Sequence, residues 1–340
     1  MFSLAFGVGT KDNNGNWLEV FYPIPLLHPD TSITTLIANI LQVDDTNTFV
    51  ELDHTHLRKL NEALQLVSPA QADLLALYEG SSRPVVATFL STDRKLTSVP
   101  EVYLKLHLLS HRMVKPHALN LDGIFSLLPN VAWTNKGPVA LGELATKQLN
   151  ARLQGKTLEV TSIDKFPKMT DYVVPSGVRI ADSARVRLGA YIGEGTTIMH
   201  EGFVNFNAGT AGPAMIEGRI SAGVFVNSNS DLGGGCSILG TLSGGGKEVI
   251  SVGENCLIGA NAGLGIPLGD RCTIEAGLYV TAGTKVTVLD HTGKDIEVVK
   301  ARTLAGKCDL LFRRNSISGR VECITNKSEI ELNAQLHANN

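Results

Sequence analysis

The sequence predicts a mainly β protein: a left-handed parallel β-helix of hexapeptide repeats, with an N-terminal α/β domain before it and a small C-terminal β cap after it. Three observations predict this. Aliphatic residues recur every sixth position at Val174, Ile180, Val186, Ile192, Ile198 and Val204. After a slip near Thr210–Ile216 the phase resumes at Ile220, Val226, Leu232 and Ile238, breaks at Ser243–Lys247, and returns at Val252, Ile258 and Leu264. A further slip leads to Leu268, Ile274, Val280 and Val286. Four residues after most of these anchors stands a small or β-branched side chain: Ala184, Ala190, Thr196, Ala208, Cys236, Cys256, Ala262, Cys272 and Thr284. Composition agrees, with 34 glycines, 19% charged residues and 6% aromatics.

A period of six matches neither a helix nor a simple alternating strand. It matches a solenoid in which each hexapeptide makes one short strand and one turn, three of them closing a coil of roughly 18 residues. The anchor points inward and the small residue lets the backbone turn the corner. Consecutive hairpins would not hold this phase. Solenoids of this kind are left-handed, an exception to the usual crossover rule. They commonly pack as trimers, with grooves between subunits that suit an extended ligand.

Taken in order, residues 1–115 predict an α/β domain. Phe2–Gly9 and Trp17–Pro23 flank Asp12-Asn13-Asn14-Gly15-Asn16, a hairpin turn signal. The string Leu4–Lys11 superficially matches a glycine-rich phosphate loop, but no helix-periodic run follows to receive a phosphate, so a hairpin is expected. Helices are expected at Ile33–Leu41, His56–Leu66, Ala70–Tyr78 and, amphipathic, at Pro100–Met113, with a buried strand at Arg83–Ser91. His54, His56, His107 and His111 lack an acidic partner at metal spacing and read as solvated histidines on helix faces. Residues 116–170 predict a connecting subdomain with a helix at Leu141–Leu153, residues 171–290 the solenoid, and residues 291–340 the cap. Cap strands are expected at Glu297–Lys300, Leu310–Phe312 and Arg320–Thr325, because an open last coil exposes unpaired strand edges.

Charge narrows the partners. The net charge of −3 gives no reason to expect nucleic acid. Its distribution is uneven: Asp171–Thr284 has six Lys and Arg against ten Asp and Glu, whereas Lys285–Lys327 has nine against five. An anionic ligand is therefore expected at the C-terminal segment. Five cysteines, none in a CxxC pair, predict neither a zinc site nor a disulfide framework, and point to a reducing cytoplasm. Cys236, Cys256 and Cys272 read as packed thiols of the repeat. No apolar run approaches a membrane span, and the start lacks a basic signal-peptide region.

Two carboxylates stand out beside the first slip: Glu201 in Met199–Thr210 and Glu217 in Met215–Ile220. Glu217 and Arg219 follow an inward Ile216 and both can reach the outer face. A carboxylate able to take a proton from an amine, beside a guanidinium able to hold a carboxylate, suits amide formation from a thioester. A surface ion pair at a solenoid corner would satisfy the same spacing.

Longer strings carry more. Met199–Thr210, Ile216–Val224, Gly233–Ser237, Leu239–Gly246, Gly259–Leu264, Glu275–Thr284 and Leu310–Gly319 resemble the long form of 2,3,4,5-tetrahydropyridine-2,6-dicarboxylate (tetrahydrodipicolinate) N-succinyltransferase, found in actinobacteria and pseudomonads. The resemblance covers roughly half the chain and includes the N-terminal hairpin. It implies a homotrimeric, cytoplasmic acyltransferase of lysine and diaminopimelate synthesis with sites between subunits, moving succinyl from succinyl-CoA to the amino nitrogen of ring-opened tetrahydrodipicolinate. Glu217 matches the family's catalytic carboxylate, described there as a transient acyl-anhydride carrier; the spacing equally allows a general base. Arg219, Gly234, Ser237, Ala260, Glu275, Ala276, Gly283, Lys300, Arg313, Arg314, Asn315 and Ser316 fall where the family contacts succinyl-CoA. Glu201 matches a position that binds Mg²⁺ near the three-fold axis in some members, but Ala184 stands where the family can supply an aspartate.

Three other classes compete. A solenoid carbonic anhydrase needs three histidines on zinc, and the repeats hold only His200. An acyltransferase for another amine would use His200 as base. A trimerising scaffold would have no reason to place Glu217 and Arg219 beside a basic cap.

Overall fold

The computed structural model describes residues 1–44, 46–240 and 249–325. These divide into two compact units, one of Met1–Val114 with Ala118–Val173 and one of Lys115–His117 with Val174 onwards.

The first unit is built on an antiparallel sheet in the order Trp17–Phe21, Ser3–Lys11, Val85–Leu90, Thr48–Leu52, with Leu26–Leu27 also pairing to Ser3–Lys11. The Asp12–Asn16 turn closes the expected hairpin, and no helix follows it. Alternation sets the core: Leu4, Phe6, Ala87 and Phe89 face the helices Thr31–Leu41, His54–Leu64 and Pro69–Tyr78, where they meet Ile37, Leu60, Leu64 and Leu75. Asp30 and Asp53 cap the first two helices, and Pro69 opens the third.

The fourth helix, Val99–Ser110, corrects the amphipathic reading, because every residue from Pro100 to Ser110 is buried. Its Lys105 is satisfied by Asp93 at 2.6 Å and by the carbonyls of Arg94 and Asn120. His107 corrects the solvated reading. It is fully buried, accepts the Tyr22 N–H at Nε2 (3.2 Å) and donates from Nδ1 to the Tyr103 carbonyl (2.7 Å). A three-stranded sheet, ordered Gly137–Ala140, Val131–Thr134, Val160–Asp164, follows with the helix Leu141–Leu153.

The second unit is the parallel β-helix. One face stacks Ala190–Ile192, Ala208–Thr210, Phe225–Val226 and Ser251–Val252. A second stacks Arg179–Ile180, Thr196–Ile198, Ala214–Ile216, Asp231–Leu232, Leu257–Ile258 and Thr273–Ile274, and a third Phe203–Val204, Arg219–Ile220, Ser237–Ile238, Gly263–Gly265 and Tyr279–Thr281. The six-residue anchors lie in register: Ile180, Ile198, Ile216, Leu232, Ile258 and Ile274 form one inward ladder, and Val204, Ile220, Ile238, Leu264 and Val280 another.

Two anchors differ from expectation. Val174 is 74% exposed, so the regular repeat opens at Arg179–Ile180. Thr210 is fully buried and keeps the phase, its hydroxyl bonded to that of Thr196 at 2.8 Å. A hydroxyl pair therefore stands where an aliphatic anchor was sought. The slip falls after Ile216 instead, at Glu217-Gly218.

Leu310–Arg314 continues the second face in parallel register beyond Thr273–Ile274, and Val321–Thr325 pairs antiparallel to it. Lys285–Leu289 and Asp295–Lys300 form a further hairpin against Val321–Thr325. These strands cover the last coil's edge on that face, as the cap was expected to do.

Candidate active site

The site is best read from the corner that joins the second face to the third. In successive coils it is made by Met199–Gly202, Glu217-Gly218, Gly233–Cys236, Gly259–Ala262 and Glu275–Leu278, with Arg313–Ser316 at the end of the next strand and just past it. Four of these corners use four residues; the corner at Glu217 uses two. That shortening cuts a notch into the solenoid edge, and Glu217 stands in it half-buried.

Tight packing builds the notch. A Cβ on Gly218 would fall 2.2 Å from Cys236 Sγ, so only glycine lets the short corner lie against the next coil. Glu217 Oε2 reaches to 3.6 Å from where a Gly234 side chain would begin, so glycine there leaves room beside the carboxylate. Arg219 lies opposite Ser237 in the third face, and both its Nε (3.1 Å) and Nη2 (2.8 Å) donate to Ser237 Oγ. That fixes the guanidinium one residue past the notch and leaves other N–H groups for a ligand. Burial, then the charge of Glu217, pushes the Cys236 thiol up to about 12, so no thiolate nucleophile forms here.

Further along the ladder, a Cβ on Gly259 would lie 2.4 Å from the Ala276 nitrogen, so adjacent corners pack backbone to backbone. The Arg314 N–H donates to Glu275 Oε2 at 2.6 Å. Behind the basic residues sits Glu322, which the sequence reading missed. It is 1% exposed and accepts from Arg313 Nε, Arg320 Nε and Asn315 Nδ2, each at 2.9 Å. Burial raises its pKa, but Asn315, Arg320 and Arg313 more than offset this and hold the carboxyl below its ordinary range. Arg320 also pairs with Asp295 at 2.7 Å. An acidic residue in a strand otherwise made of Val321, Cys323, Ile324 and Thr325 is the signal that could have found it.

Of the expected residues, Glu217, Gly234, Ala260, Glu275, Ala276, Arg313, Arg314, Asn315 and Ser316 thus share one edge, with Arg219 and Ser237 next to it. Gly283 and Lys300 do not. They follow the third face instead and lie near each other, since Lys300 pairs with Lys285 and the Ala301 N–H bonds the Thr284 carbonyl. Glu201 occupies the same edge one coil before Glu217. It is 72% exposed, its side chain meets His200 Nδ1 at 3.3 Å and no other side chain among the described residues, and Ala184 supplies no ligand. Among the described residues no three His, Cys, Asp or Glu gather to hold a metal, so one chain does not fit Mg²⁺. The glycine-rich break at Gly244–Lys247 lies outside the described residues.

Comparison with known proteins decides the family. Residues 47–126 match the tetrahydrodipicolinate N-succinyltransferase N-terminal model, residues 128–168 its middle model, and residues 249–282 the hexapeptide repeat of succinyl-transferase. The chain is 66% identical, over its whole length and 99% of the relative, to a 2,3,4,5-tetrahydropyridine-2,6-dicarboxylate N-succinyltransferase of Pseudomonas putida. The chain belongs to the tetrahydrodipicolinate N-succinyltransferase family. A protein of the same description from Vibrio cholerae is 56% identical, again over the whole chain and 99% of the relative. A crystal structure from Campylobacter jejuni, described as a 2,3,4,5-tetrahydropyridine-2-carboxylate N-succinyltransferase, superposes with a TM-score of 0.88 at 32% identity, covering 96% of this chain and 92% of that one. No described helix is long and apolar enough to cross a membrane.

Proposed function

We propose that this chain transfers succinyl from succinyl-CoA to the amino nitrogen of ring-opened tetrahydrodipicolinate, giving N-succinyl-2-amino-6-oxopimelate and CoA in lysine and diaminopimelate biosynthesis. Family membership supports the reaction. The observation that carries the site is the two-residue corner that sets Glu217 in a notch beside Arg219. In this reading the substrate amine attacks the thioester carbonyl carbon and Glu217 takes the amine proton. The tetrahedral oxyanion is held by backbone N–H groups of the glycine-rich corners. The C–S bond then breaks and the proton passes to the CoA thiolate. Arg219 holds a carboxylate of the substrate.

The corner ladder from Gly234 to Ser316 follows the acyl donor, with Arg313 and Arg314 toward its phosphates. Gly283 and Lys300 contribute from the next corner, which is consistent with a donor lying between neighbouring subunits of a homotrimer. Glu201 meets a cation only if three copies gather on the trimer axis, and no step uses one. The proposed division is an N-terminal domain to 115, a connecting subdomain to 170, the solenoid to 290 and the cap beyond, in a cytoplasmic enzyme.

The test is thiol release from succinyl-CoA with tetrahydrodipicolinate, or with the amine analogue 2-aminopimelate. Absence of release by the intact protein, or full activity in Glu217→Ala, overturns the reading. Rapid-quench mass spectrometry with donor alone separates the two roles of Glu217: a succinyl adduct on that residue marks an acyl carrier, and its absence a general base.

A further inference from the structure

The first unit contains a cavity of about 630 Å³ that takes no part in the proposed transfer. It lies between the hairpin of Ser3–Lys11 and Trp17–Phe21 and the three-stranded sheet of Val131–Thr134, Gly137–Ala140 and Val160–Asp164. Its size is that of a small-molecule site, commonly ~300–1,000 Å³. Phe21, Trp133 and Tyr172 supply aromatic walls; Glu19 and Arg83 supply charge, as do Lys168 and Asp171, which pair with each other at 3.3 Å.

Glu19 is the unusual member. It sits mid-strand with 6% exposure, and its carboxylate is met by neutral hydroxyls: Tyr172 donates to Oε2 at 3.2 Å, and Thr10 hydrogen-bonds it as well. Among the described residues no cation pairs with it directly. Arg83 acts on it only from a distance: its Nη1 donates to the Thr10 hydroxyl, which leaves its Nε and Nη2 side for a ligand. A carboxylate buried without a cation is costly unless a partner arrives. Burial accordingly raises its pKa. Arg83 and Thr10 also line an adjoining depression of about 420 Å³, whose other charged lining is Lys136, Lys147 and Lys156. The aromatic chamber with an unpaired carboxylate thus opens beside a basic shelf.

We propose that this cavity binds a small amino-carboxylate of the α-amino-acid class, its ammonium at Glu19 among the aromatic rings and its carboxylate at Arg83. Aromatic faces and a carboxylate together recognise an ammonium, the rings through their negative faces. A guanidinium takes a carboxylate in a two-point contact. Each end of such a ligand supplies the charge that its end of the cavity lacks. The inference is independent of the transfer reaction, because none of these residues belongs to the Glu217 ladder.

Isothermal titration of the full chain with L-lysine, L-methionine and L-phenylalanine tests it, with ADP and cadaverine as comparison ligands. Expected is binding of at least one amino acid, weakened at least about tenfold in both Glu19→Gln and Arg83→Met, with thiol release from succinyl-CoA unchanged in both. Arg83 is exposed, so its variant remains informative if Glu19→Gln fails to fold. No binding by any of the three amino acids overturns the proposal, as does binding that Arg83→Met leaves intact. Binding of ADP that depends on Arg83 but not on Glu19, without amino-acid binding, would make the cavity an anion site instead. Cadaverine binding as tightly as lysine would remove the carboxylate from the recognition.

Discussion

Glu217 has no residue holding it from its own corner; what positions it is the absence of two residues that every neighbouring corner has. Its function depends on charge at that point, so Glu217→Ala is expected to lower kcat by several powers of ten, while denaturant unfolding changes little, as for a half-buried side chain. Gly218 behaves oppositely. A methyl group there meets Cys236 Sγ at 2.2 Å, so Gly218→Ala should cost ~1–3 kcal/mol by overpacking and show as a lower urea midpoint. His107 gives a pH signature. Its Nε2 must stay unprotonated to accept the Tyr22 N–H, and burial lowers its pKa to about 3. Because the unfolded chain binds the proton first, this contribution is complete above the ordinary histidine pKa of ~6.5 and is lost as pH falls towards 3. Unfolding free energy should drop by roughly 2 kcal/mol between pH 7.5 and 5, and His107→Asn should flatten that slope.

At the scale of elements, the corner ladder converts a repeating backbone into a graded surface. It begins with Glu201 and Glu217, passes through glycine and alanine corners, and ends in the basic turn Arg313–Ser316. Its reach from the level of Ile216 to that of Phe312 is four strand spacings, ~19 Å, enough for an extended ligand. Glu322 holds the basic end in shape through Arg313, Arg320 and Asn315. Replacing it by Gln keeps the volume but removes the charge that orders two guanidinium groups. Glu322→Gln is expected to raise KM for succinyl-CoA about tenfold or more with a smaller change in kcat, read by initial-rate kinetics. A change confined to kcat would place Glu322 in the chemistry instead.

At the scale of the whole molecule, the last coil is covered on its second face by chain that has left the repeat. Leu310–Arg314 adds to that face in register, and the Val321–Thr325 strand turns the direction antiparallel. A chain ending at Lys300 would expose the Thr273–Ile274 edge with its unpaired backbone groups, and size-exclusion chromatography should show aggregates where the full chain elutes as a discrete oligomer. Mixing Glu217→Ala with Lys300→Ala subunits, each impaired alone, should restore part of the activity if the Glu217 edge of one subunit and Lys300 of its neighbour serve the same donor in a trimer.

Much of this was legible in the sequence because a solenoid repeats one local rule. Each anchor sees the same surroundings, so the inward ladders at Ile198–Ile274 and Val204–Val280 follow from period alone. Long motif strings likewise named Glu217 and the residues from Gly234 to Ser316. What the sequence could not decide lies where contacts join distant positions. Thr210 escaped because its polarity hid a buried pair with Thr196, and the shortened corner was therefore sought six residues too early. His107 looked solvated because the ring of Tyr22, eighty-five residues away in sequence, covers it only after folding. Glu322 and Glu19 went unmarked in the sequence for the same reason: burial of a charge is set by what packs over it, and no local spacing records that. The sequence by itself determined the coil and named the candidate residues along its edge; tertiary structure decided which of them stand in a notch, which are held by a buried carboxylate, and where a second cavity opens.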